Sequence, residues 1–133
     1  GMLYHGKNEH DEIGQLWGQF NPRMNEIKNI TDGAFGVCGH TQEDGNFDYL
    51  AGFAVSSVED LPKGMTSWEV PAQKYAVFPC TLPTLHKTYQ YAFETWLPAS
   101  GYKYTSGPDF EYYDESFNPE VDDSILTIYI PIE

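Results

Sequence analysis

Apolar residues recur at two different periods along this chain, and the periods mark out its elements. Across Asp11 to Ile27, Ile13, Leu16, Trp17 and Phe20 are spaced three and four apart, the period of an amphipathic helix. Asn21-Pro22 interrupts the pattern, because the residue before a proline is driven out of helical geometry. We expect a helix to about Phe20, then a turn or short helix carrying Met24 and Ile27. A second helix runs from Leu82 to Leu97 with Leu85, Tyr89, Ala92, Phe93 and Trp96 on one face, and Pro98 and Gly101 are expected to stop it. Thr31-Asp32-Gly33 reads as a turn into the strand AFGVCGH. Glu43-Asp44-Gly45-Asn46 turns the chain back into FDYLAGFAVSS, which makes a hairpin. Leu61-Pro62-Lys63-Gly64-Met65 turns outward. SWEVPAQKYAVFPC is strand material broken by Pro71, FEYYD is a short strand, Asn118-Pro119 opens a long acidic turn, and ILTIYIPIE closes the chain.

The resulting order is helix–strand–strand, then strand–helix–strand–strand. A duplicated strand–helix–hairpin unit is the simplest account, in an α+β class with antiparallel pairing. The first half lacks its opening strand unless Met2–His5 supplies a stub. A length of 133 residues fits one domain with a real core. Gly1 before Met2 reads as a remnant of tag removal and is set aside. No run of about 18 apolar residues and no basic-plus-apolar leader is present, so a cytoplasmic protein is expected.

Charge narrows the partners. Seven basic against twenty acidic residues give −13, and both halves are acidic: ten acids and four bases in residues 1–66, ten and three in residues 67–133. Such a surface repels phosphate backbones, so direct nucleic-acid binding is not expected, and it concentrates cations. Most of these acids serve solubility. Ten tyrosines and three tryptophans are many for this length and suggest a ring-lined cavity as well as a core. Cys38 and Cys80 sit in apolar strand-like runs. Two buried thiols are the simpler reading and a disulfide the alternative. His5, His10, His40 and His86 are scattered, and no spacing of a metal site or cofactor motif is seen.

Five pieces, FDYLAGFAV at 47–55, VPAQKYAVFPC at 70–80, TYQYAFETWLPASGY at 88–102, GPDFEYY at 107–113 and IYIPIE at 128–133, together resemble the GyrI-like effector-binding domain family. Domains of that family occur alone or fused to DNA-binding segments in AraC- and MerR-type bacterial regulators. The resemblance implies an antiparallel sheet with helices on one side and a ligand cleft between two repeats, lined by aromatics and holding one glutamate, here Glu111. The final-strand tyrosine corresponds to Tyr129. Thr127 stands where many members carry a second acid, so no one member's ligand carries over.

Alternation puts Glu111 and Tyr113 of FEYYD on one face and Phe110 and Tyr112 on the other. In the last strand, Leu126, Ile128, Ile130 and Ile132 share a face. The more polar face, with Ile125, Thr127, Tyr129 and Pro131, is expected to look into the cleft beside Glu111. Tyr49 and Phe53 alternate on the first hairpin, and Trp17 and Tyr89 are helix candidates for the walls. A carboxylate withdrawn from water loses solvation worth several kcal/mol, which a lipophilic cation offsets. Ring faces add about 0.5–2 kcal/mol each. The expected function is a sensor or sequestering domain for lipophilic or aromatic cations, with Glu111, Tyr129, Tyr49, Phe53, Trp17, Tyr89 and Tyr113 binding the ligand. Two alternatives remain open. By analogy with relatives that hydrolyse cyclopropane-containing compounds, Glu111 would be a general base and Tyr129 an orienting hydroxyl. An acidic surface could also inhibit a basic protein partner.

Overall fold

Register sorts the strands into a single sheet. The computed structural model describes residues 1–39, 42–105 and 108–133. Its strands are β1 (Met2–Gly6), β2 (Ile30–Gly39), β3 (Phe47–Val55), β4 (Tyr75–Thr81), β5 (Asp109–Tyr113) and β6 (Ile125–Pro131). All pairings are antiparallel, in the order β1-β3-β2-β5-β6-β4. Outward from the β2–β5 seam, each side repeats the same sequence: third strand of the unit, then first. Met2–Gly6 is therefore a full opening strand, paired with β3 from Met2↔Ala51 to Gly6↔Phe47, and the two halves have the same β-α-β-β plan.

Helix α1 (Glu12–Phe20) buries Leu16 and Phe20 against Tyr49 and Ala51 of β3, and a 3-10 turn over Asn21–Glu26 follows. In the second half a 3-10 turn, Leu82–Thr84, is closed by a reciprocal Thr81–Thr84 capping box. Helix α2 (Leu85–Tyr91) then runs through a wide π-type segment, Ala92–Trp96, into α3 (Leu97–Ser100). This unit lays Leu85, Tyr89, Phe93 and Trp96 on Leu126, Ile128 and Ile130 of β6. Each fully buried side chain of this kind contributes about 1.5–3 kcal/mol. Gly36 pairs with Ala51 on one side and Glu111 on the other, and Glu111 pairs with Ile128. Residues paired across a sheet point the same way, so both helical units cover one face.

Three local expectations change. Thr31-Asp32-Gly33 is not a turn before β2 but lies within it, where the register slips between Ile30 and Ala34. The Asp32 carboxylate there accepts from the Gly33 amide and the Tyr112 hydroxyl. Pro98 does not stop the second helix. Leu97 N–H reaches back to the Ala92 carbonyl across the wide turn, and Pro98 begins a new turn, where a missing N–H costs little. The helix ends at Gly101, at φ 82°. Residues 68–74 do not form a strand. They belong to a crossing segment, 56–74, that links β3 to β4 over the helix-free face. The strand assignment at His40 lies outside the described residues, as does Gly107 of the GPDFEYY piece.

Candidate functional site

The middle pair of the β2–β5 ladder is Gly36↔Glu111. Alternation turns Glu111 toward the helices together with Asp109 and Tyr113, and the side chain is buried, with 6% of its surface exposed. Three hydroxyls donate to it. Oε1 accepts from Tyr49 at 3.0 Å and from Tyr113 at 2.7 Å, and Oε2 accepts from Tyr89 at 3.2 Å. Trp17 extends the network by donating its Nε1–H to Tyr49 Oη at 3.0 Å, and its ring meets Tyr113 edge-on at 5.6 Å. Four elements thus converge: α1 brings Trp17, β3 brings Tyr49, α2 brings Tyr89, and β5 brings the acid and Tyr113.

This convergence depends on an absent side chain. A Cβ at Gly36 would fall on Tyr49 Oη and lie 2.9 Å from Glu111 Oε1. Glycine at position 36 is the room in which the two polar groups meet.

Electrostatics leave the acid short of compensation. Burial pushes the Glu111 carboxyl above its ordinary range, the hydroxyls of Tyr113, Tyr49 and Tyr89 draw it back, and the nearby Asp109 carboxylate raises it further. Among the described residues its partners are hydroxyls only. The ion pairs seen among the described residues, His5–Asp48 and Arg23–Glu26, are elsewhere. Asp109 is likewise raised by burial, and Tyr104 donates to it at 3.0 Å. Burial and the negative Glu111 push the phenols of Tyr49, Tyr89 and Tyr113 up, so they remain donors. Cys38 and Cys80 are free thiols, raised chiefly by burial, Cys80 to about 11.

Of the seven residues singled out in the sequence, Glu111, Tyr49, Tyr89, Tyr113 and Trp17 lie together. Phe53 is on the same face but packs on Phe20 at 5.8 Å, in the core beneath α1. Tyr129 is on the other side of the sheet. It pairs with Phe110, so the face carrying Thr127 and Tyr129 points away from the acid, and the apolar Ile128 stands beside Glu111. The Tyr129 ring stacks on Phe110 at 4.7 Å and meets Tyr75 at 5.9 Å. Two site residues had gone unremarked. Asp109 was visible two positions before Glu111 by simple alternation. Gly36 left no signal, since its part is to carry no side chain.

An α+β domain with a six-stranded antiparallel sheet and both helices on one face is the fold that the structural neighbours below share. The chain belongs to the Cass2 family of integron-associated effector binding proteins, whose profile matches residues 1–132. It is 42% identical over 137 residues to the transcriptional regulator BrlR of Pseudomonas aeruginosa, a match covering 99% of this chain and 50% of that protein. The chain thus spans about half the length of this curated relative. Two solved structures share the fold over 100% of the chain. One is SAV2435 bound to tetraphenylphosphonium, with TM-score 0.74, 17% identity and 86% of that chain covered. The other is the integron cassette protein VCH_CASS2 from the mobile metagenome of Vibrio cholerae, with TM-score 0.74, 19% identity and 88% covered. No helix among the described residues is long and apolar enough to cross a membrane.

Proposed function

We propose that this domain binds lipophilic cations, with Glu111 as the counter-charge and Trp17, Tyr49, Tyr89 and Tyr113 as the surround, and that it works as the sensing or sequestering part of a regulator. One observation carries the reading: a carboxylate buried at the centre of the sheet that has hydroxyl donors but no basic partner among the described residues. Hydroxyl bonds offset only part of what ionisation loses on burial. A bound cation supplies the rest, and ring faces add to it. Trp17, Tyr89 and Tyr113 are each only partly buried, which leaves their outer edges within reach of an arriving ligand. Tetraphenylphosphonium, bound by the structurally similar SAV2435, has the required combination of aryl surface and single positive charge.

The hydrolase alternative loses its orienting hydroxyl, because Tyr129 is across the sheet from Glu111. The test is calorimetric titration with tetraphenylphosphonium and with uncharged triphenylphosphine oxide. The cation is expected to bind in the micromolar range, with Glu111→Gln weakening it at least tenfold, a loss of about 1.4 kcal/mol or more. The oxide should bind weakly and equally to both proteins. Equal affinity of both proteins for the cation would defeat the proposal.

A further inference from the structure

The face of the sheet turned away from Glu111 carries a site of different character. Register places Val37, Leu50, Phe110, Tyr129, Tyr75 and Val77 on that face, through Val37↔Leu50, Val37↔Phe110, Phe110↔Tyr129, Tyr75↔Pro131 and Val77↔Tyr129. Its rings form a continuous sheet of contacts: Tyr112 on Phe35 at 5.0 Å, Phe35 on Phe110 at 5.7 Å, Phe110 on Tyr75 at 5.3 Å, with Tyr129 stacked behind.

The crossing segment 56–74 roofs this floor without filling the space beneath it. It is tied down by Ser56 N–H to the Asn29 carbonyl, by Arg23 Nη2–H to the Lys63 carbonyl, and by two bonds between Gly1 and Thr66. Between roof and floor is a chamber of about 730 Å³, lined by Phe35, Val37, Leu50, Trp68, Tyr75 and Phe110 among others. That volume is in the range of drug-sized ligand sites, which are concave and mostly apolar.

We infer that this chamber is a second ligand site, one that takes an uncharged, planar aromatic molecule. Charge selects the class. Glu69, itself exposed, is the one charged side chain among the described lining residues. The base an anion would meet there is the amino terminus of Gly1, whose charge burial disfavours, in a protein of net charge −13. A cation would give up hydration without a buried carboxylate to replace it. A flat neutral ring system loses little on entering and gains ring and aliphatic contact on both sides. The domain then reads two kinds of molecule, a charged one on its helical face and a neutral one under the crossing segment.

The neutral dye Nile red tests this, since its emission rises in apolar surroundings. Wild type and Glu111→Gln are expected to bind one dye per chain with affinities within twofold of each other. Ala54→Trp, which grows a ring from β3 into the chamber, should weaken dye binding at least tenfold while tetraphenylphosphonium binding stays within twofold of wild type. Ala72→Trp does the same from the exposed crossing segment, and decides the matter should the β3 variant fail to fold. Absence of saturable dye binding to wild type, its loss in Glu111→Gln, or indifference to a folded tryptophan variant would each overturn the inference.

Discussion

The two halves of the molecule are built to one plan and meet along one pair of strands, yet they bring opposite things to it. β2 presents Ala34, Gly36 and Cys38 toward the helices, and β5 presents Asp109, Glu111 and Tyr113 in register with them. One half supplies small side chains and the other supplies charge and hydroxyl. The site is therefore not a property of the repeated unit. It arises because one copy gives up volume where the other places a carboxylate, and because each copy then contributes wall residues, Trp17 and Tyr49 from the first, Tyr89 and Tyr113 from the second. The two faces of the sheet differ as sharply: polar and hydrogen-bonded around the acid, apolar and aromatic beneath the crossing segment.

Filling the empty half should have the largest effect. Gly36→Ala puts a methyl group onto the hydroxyl of Tyr49, a side chain with 1% exposure that has no room to retreat. We expect a loss of about 2–3 kcal/mol, a fall in Tm of about 10 °C by calorimetry, and loss of cation binding as well. A variant as stable as wild type would show that the two halves do not interlock at this pair.

Removing the charge from the other half is next in size and has a definite sign. The folded protein holds the Glu111 proton more tightly than the unfolded chain does, because burial outweighs the tyrosine bonds. Its ionisation thus costs nothing below the unfolded value of about 4.3. Stability then declines as pH rises from there through the raised folded value, by about 1.4 kcal/mol per unit of difference between the two. Asp109 acts in the same direction. Glu111→Gln should flatten the pH dependence of Tm and equal or exceed wild type at pH 8, with the gap closing toward pH 4.5. Cation affinity in wild type should fall as the pH is lowered through the same window. A wild-type Tm that instead rises with pH across it, relative to Glu111→Gln, would contradict this.

The smallest expected effect sharpens the contrast between faces. Tyr129→Phe removes a hydroxyl from the side of the sheet away from the acid. Tetraphenylphosphonium affinity should stay within twofold, a shift well under 1 kcal/mol. A tenfold loss in titration would mean that Tyr129 reaches the ligand after all.

Much of this was legible in the residue pattern. Period alone recovered both helices, the hairpin and the duplicated plan, and alternation correctly joined Glu111 to Tyr113. What period cannot supply is the phase of one strand against its neighbour. Both faces of β6 alternate equally well, and only the pairing Phe110↔Tyr129 shows which of them adjoins the acid. A preference for the more polar face misplaced Tyr129. In fact the acid's lateral neighbour is Ile128, and its hydroxyl donors come from β3, α2 and β5. The π-type turn at Ala92–Trp96 likewise gave no compositional sign, and it is what lets the helix pass Pro98. The chamber went unseen because residues 67–74 read as strand and the irregular chain before them carries no period from which a roof could be inferred.

Gly36 facing Glu111 carries a last consequence. Were the halves two identical free-standing subunits, whatever stood at this point on one would stand opposite itself on the other. A pair of glycines would leave no charge, and a pair of glutamates would set two like charges directly across a ladder, which repel. Holding both copies on a single ribbon of chain is what allows an acid to face a void.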